Sequence, residues 1–78
     1  MKRILAATDF SDRSEQAVRR AALLARRHGA SLALIHVVDD DRPAHLVEIE
    51  HRAAALLLEE RAQALREDGI ETSALVRD

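Results

Sequence analysis

Three features of the chain predict an α/β fold of β-α-β-α-β order. Two short segments, Ile4 to Ala7 and Leu32 to Val38, are apolar at almost every consecutive position, as strands of a parallel sheet covered on both faces are. Two longer segments carry apolar residues at helical spacing, and each ends at one of the chain's two glycines, Gly29 and Gly69. Strands alternating with helices imply a parallel sheet. Right-handed crossovers moving one way then give a three-stranded sheet of order 3-2-1 with both helices on one face. This is part of a doubly wound, nucleotide-binding type of fold.

The first strand, Ile4 to Ala7, runs straight into a polar tip, Thr8-Asp9, and then into a helix-start signal. Open α/β sheets bind ligands at the carboxyl ends of their strands, so this tip is the first place to look for a site. Ser11 or Asp12 offers an N-cap, and Asp12-x-x-Glu15 has capping-box spacing. The helix that follows runs to about His28, with Ala17, Val18, Ala21, Ala22, Leu24 and Ala25 as its buried stripe. Arg26 and Arg27 at its end suit the negative pole of the helix dipole, and Gly29 suits a left-handed cap.

The second strand, Leu32 to Val38, contains His36 within an otherwise apolar run. The acidic loop Asp39-Asp-Asp-Arg-Pro43 reads as solvated. A second helix is expected from about Ala44 to Asp68, with Leu46, Ile49, Ala53, Leu57 and Ala64 on one side, widened by Val47, Ala54, Leu58, Ala62 and Leu65. A helix of that length is long for so small a domain, so a break or fraying is expected near its start. The last strand, Ile70 to Val76, alternates instead: Ile70, Thr72, Ala74 and Val76 against Glu71, Ser73 and Leu75. Alternation marks one wetter face, as on an edge strand.

Size and composition narrow the function. At 78 residues the chain is at most one small domain, and a chain this short buries only about 60% of its unfolded surface. It has no cysteine and a single aromatic residue, Phe10, so Ala, Leu, Ile and Val must form the core. A net charge of −2 with both signs interspersed argues against a nucleic-acid partner. No apolar run approaches the roughly 18 residues needed to span a bilayer, and Thr8-Asp9 interrupts the apolar run after Met1-Lys2-Arg3, unlike a signal peptide. The expected location is the cytoplasm.

Each candidate site residue has a structural reading beside its functional one. Asp9 is either a turn or capping carboxylate or a ligand-binding one. His36 reads as a hydrogen-bonded core residue. His45, Glu48, Glu50 and His51 lack His-Glu-x-x-His spacing and do not converge on one helical face, so they read as a solvated surface. The aspartates at 39 to 41 lack the glycine and distal glutamate of a calcium loop. There is no Gly-x-x-x-x-Gly-Lys loop and no Gly-x-Gly-x-x-Gly. A phospho-acceptor receiver domain would want a closer acidic pair than Asp9 and Asp12, and an acid after the third strand where only the final Asp78 stands. With no nucleophile–base pair and no metal cluster, a conventional enzyme is not expected.

The segments Ile4-Leu-Ala-Ala-Thr-Asp-Phe-Ser11 and Leu34-Ile-His-Val-Val38, with the helices and third strand around them, resemble the universal stress protein family over essentially the whole chain. The resemblance implies a doubly wound five-stranded α/β domain, often dimeric, one branch of which binds ATP. Carried onto this chain, it implies that Ala7 and Thr8 lie along adenine and ribose, that Asp9 accepts hydrogen bonds from ribose hydroxyls, and that Val37 walls the adenine. The family's phosphate-binding Gly-x-x-Gly segment follows a fourth strand, and this sequence has neither. Residues 1–78 are therefore expected to form one incomplete domain holding the adenosine half of a site for ATP with magnesium. The function implied is a non-catalytic, nucleotide-binding stress-response module, with at most slow ATP hydrolysis in the complete domain. The alternative is an assembly module that binds no nucleotide. Two strands apolar on both faces, with helices for only one, leave a sheet face uncovered; a missing C-terminal half or a second copy of the chain would cover it.

Overall fold

The computed structural model describes residues 2–77 and has the element order expected: β1 (Arg3–Ala7), α1 (Asp12–His28), β2 (Ser31–Val37), α2 (Ala44–Glu67) and β3 (Thr72–Arg77). The three strands are parallel in the order β1-β2-β3, with Ala6 beside Leu34 and Leu34 beside Ala74 in the central row. Asp78, weighed above as a receiver-type acid, lies outside the described residues.

Both helices pack on one side of the sheet. Val18, Ala21, Ala22 and Ala25 of α1 and Leu58 and Ala62 of α2 close over Ala6, Leu32 and Leu34, with Ala30 and Ile70 at the strand entries. Alanines dominate because strands about 4.8 Å apart under two helices leave little room between backbones, and few aromatics are available to fill more. The largest fully buried side chains are Leu32, Leu34, Leu58 and Val38, all within or next to β2 and α2.

The helix ends follow local chemistry. Ser11 is the N-cap of α1, its Oγ accepting the Ser14 N–H at 3.3 Å. The Asp12-x-x-Glu15 capping box does not form: Asp12 is already helical, and Glu15 instead pairs with Arg61 of α2. Gly29 ends α1 at φ 61°, where its N–H reaches the Ala25 carbonyl and a side chain would be strained. Gly69 after α2 has φ 85°.

The break expected near the start of α2 is absent, and the helix is continuous for 24 residues. Pro43 stands at its N-cap position, with a carbonyl that accepts from Leu46 and Val47. Glu50 is held by Arg42, and Glu48 by Arg52 one turn on at 2.6 Å, so the first turns are tied by side chains where the sheet gives no support. Only the Val47, Ala54, Leu58, Ala62, Leu65 stripe packs inward. Leu46, Ile49, Ala53, Leu57 and Ala64 are exposed, because a helix at the rim of a three-stranded sheet has one partner surface and not two.

The other face of the sheet has no helix on it. Leu5, Val37 and Leu75 are 64%, 63% and 44% exposed there, as the two-sided apolar pattern of the first two strands requires. In β3 the exposure alternates, with Thr72 buried, Ala74 and Val76 half-buried, and Ser73, Leu75 and Arg77 exposed.

Candidate functional site

The four residues singled out in the sequence converge. Ala7, Thr8, Asp9 and Val37, together with Ser14 and Ile35, line an open cleft of about 300 Å³ at the carboxyl ends of β1 and β2. Parallel register produces this grouping: Ala7 lies beside Ile35, and the Thr8 N–H continues the ladder to the Ile35 carbonyl at 2.9 Å. Ala7, Ile35 and Val37 therefore share one sheet face and present an apolar wall, with Asp9 at its top.

Behind that wall is a hydrogen-bond network centred on Ser14. Its hydroxyl lies 2.8 Å from Asp9 Oδ1, 3.0 Å from Thr8 Oγ1 and 3.3 Å from the Asp9 N–H. Ser14 has one hydroxyl proton, and the charged carboxylate is its strongest acceptor, so that proton goes to Asp9. Thr8 must then donate to Ser14 Oγ, while Thr8 Oγ1 accepts the Phe10 N–H at 3.0 Å. The Ser11 N–H also donates to Asp9 Oδ1, at 2.9 Å.

Asp9 thus has both roles the sequence offered it. Oδ1 closes the turn, which leaves Oδ2 of this exposed residue facing solvent. The Ser11 hydroxyl and N–H, then the Ser14 hydroxyl, stabilise the carboxylate and hold its pKa at about 2. Thr8 behaves differently from its neighbours: it is 4% exposed and its hydroxyl is spent on Ser14 and Phe10, so its side chain faces the network and not the cleft. Phe10 follows with φ 67°, a left-handed conformation that costs a non-glycine residue about 1 kcal/mol or more.

His36 is a core residue. It is 7% exposed, its Nδ1–H donates to the Thr8 carbonyl at 2.8 Å, and its ring packs 4.8 Å from that of Phe10. Arg61, paired with Glu15, sits 5.5 Å over the other side of the Phe10 ring. These contacts clamp the Thr8–Phe10 turn from below. Ser14 was not singled out in the sequence; the spacing Ser11-x-x-Ser14 at a helix start was the available signal.

The cleft lining suits a nucleoside. It offers an apolar wall for a base and a carboxylate oxygen for hydroxyl groups. No lysine or arginine lines it, so nothing there would neutralise phosphates. A larger groove of about 440 Å³ between α1 and α2 is apolar, with Val18, Ala22, Ala64, Leu65 and Ile70 along it; it is far from the strand ends. Among the described residues, no group of histidines and carboxylates is placed to hold a metal, and no helix is long and apolar enough to cross a membrane.

A family model described as the universal stress protein family matches residues 1–77. The fold superposes on universal stress protein UspA from Lactobacillus plantarum with a TM-score of 0.86 at 24% identity, over 97% of this chain and 59% of that one. It superposes equally on a universal stress family protein from Burkholderia pseudomallei, TM-score 0.86 at 23% identity, over 97% of this chain and 61% of that one. A universal stress protein from Archaeoglobus fulgidus gives a TM-score of 0.69 at 26% identity, over 100% of this chain and 58% of that one. The chain spans about three-fifths of the length of these structures. No curated protein matches.

Proposed function

The chain belongs to the universal stress protein family, and from that premise we propose that it is a stress-response module that binds the adenosine part of an adenine nucleotide without catalysis. The observation that carries this reading is the convergence of Ala7, Asp9 and Val37 on one cleft at a strand end. Adenine would lie against Val37, Ile35 and Ala7, and Asp9 Oδ2 would accept from the ribose hydroxyls, since Oδ1 is already used. Thr8 would contribute by holding the turn and not by direct side-chain contact. With no cation in the lining, ATP with magnesium would bind through its nucleoside and gain little from its phosphates. Binding without turnover fits a site that offers no general base and no phosphate clamp. The cytoplasm is the compartment where such a ligand is abundant.

An amide NMR titration of the 78-residue chain with adenosine, then with Mg-ATP, tests this. Shifts are expected at Ala7, Asp9, Ser14 and Val37, with similar affinity for the two ligands. A dispersed spectrum with no shifts would remove the nucleotide reading. The second reading, an assembly module, would then stand on the exposed Leu5, Val37 and Leu75.

A further inference from the structure

The sheet face opposite the helices has an apolar centre and four charged corners. Its two middle rows are Leu5, Ala33 and Ser73, then Ala7, Ile35 and Leu75, each set side by side by the strand register. Toward the amino ends, Arg3, Ser31 and Glu71 gather around one hollow. Toward the carboxyl ends stand Asp9 and Val37, with Arg77 beside Val37. All four corner residues, Arg3, Glu71, Asp9 and Arg77, are exposed. None of the ion pairs of the described chain uses any of them.

This pattern is self-complementary. A half-turn of a second copy about an axis lying in the face, across the strands under the row Ala6–Leu34–Ala74, brings Arg3 opposite Asp9 and Glu71 opposite Arg77. The same operation sets Leu5 over Ala7, Ile35 over Ala33, Leu75 over Ser73 and Val37 over Ser31. Each large apolar side chain meets a small one and each charge meets its opposite. One axis satisfies all six pairs because the register aligns the three strands on a common central row.

We propose that this uncovered face pairs with a second copy of the chain, the two sheets packed face to face with their strands antiparallel. Aligned sheets pack about 10 Å apart at roughly 30°, an offset that long arginine side chains at the corners can span. The isologous arrangement closes on itself and leaves no surface to propagate a filament. Three strands about 4.8 Å apart make a narrow interface, at the low end of the range for specific association, so the dimer dissociates on dilution. The inference does not depend on nucleotide binding.

Sedimentation equilibrium of the 78-residue chain across a range of concentrations tests it, with charge reversals at exposed positions that leave the fold intact by circular dichroism. The average mass should rise from 8.7 kDa toward 17.4 kDa, twice the chain mass. Glu71→Arg or Arg77→Glu alone places like charges opposite at two points per dimer and should weaken association about tenfold or more. The double reversal, Glu71→Arg with Arg77→Glu, should restore it. Leu56→Ser, on the outer side of α2, should leave the dimer unchanged. A monomer at every concentration would overturn the proposal, as would single reversals without effect or a double reversal that fails to rescue. Loss of the dimer in Leu56→Ser would assign association to the helix surface and overturn it equally.

Discussion

Asp9 and Ser14 show how much one turn can carry. The Asp9 pKa of about 2 lies below the ordinary 3.8, so the folded state favours the charged carboxylate. Its contribution to stability is full above the unfolded value near 3.8 and is lost as pH falls through that value toward 2. Urea unfolding should therefore show wild type more stable than Asp9→Asn at pH 6, with the gap closing on acidification between pH 4 and 2. A gap that stays constant over that range would mean that the charge is not what the turn uses. Asp9→Ala should also weaken adenosine binding without unfolding the chain, read by the same NMR titration; unchanged affinity would take Asp9 out of the site. Ser14→Ala removes the one hydroxyl that joins Thr8 to Asp9 and should cost about 1–2 kcal/mol in urea unfolding. Asp9 was legible in the sequence because a carboxylate at a strand end has few uses. Ser14 was not, because a serine three residues past an N-cap serine resembles ordinary helix-start chemistry, and only the fold of Thr8 back over it reveals the network.

At the scale of elements, periodicity located every strand and helix, and tertiary contact decided which stripe of α2 is buried. Two apolar stripes on one helix are equivalent in sequence; a single sheet edge can receive only one of them. Leu58 and Leu56 make the contrast measurable. Leu58 is fully buried against β2 and α1 residues, and Leu58→Ala should cost about 2–5 kcal/mol, enough to unfold much of a domain this small. Leu56 is 72% exposed, and Leu56→Ala should change stability by less than about 0.5 kcal/mol. Equal costs would mean that the outer stripe is also covered. The unbroken start of α2 has the same lesson: propensity rules predicted fraying for unsupported turns, but Arg42–Glu50 and Arg52–Glu48 are pairings that a one-dimensional reading does not weigh against the missing core.

For the molecule as a whole, the cleft and the uncovered face are one continuous surface. Ala7, Ile35 and Val37 wall the cleft and also belong to the face, and Asp9 is both the ribose acceptor and a corner charge. In the face-to-face dimer, Arg3 of the second copy approaches Asp9, and its Leu5 covers Ala7, so an occupied cleft and a formed dimer exclude each other. Linkage then requires each to weaken the other by the same factor. Saturating adenosine should lower the average mass of the wild-type chain in sedimentation at concentrations where it is otherwise mostly dimeric. It should leave unchanged the mass of Arg77→Glu, which is already monomeric there. A wild-type mass indifferent to adenosine, with binding confirmed by NMR, would separate the two surfaces and place the interface away from the carboxyl ends of the strands.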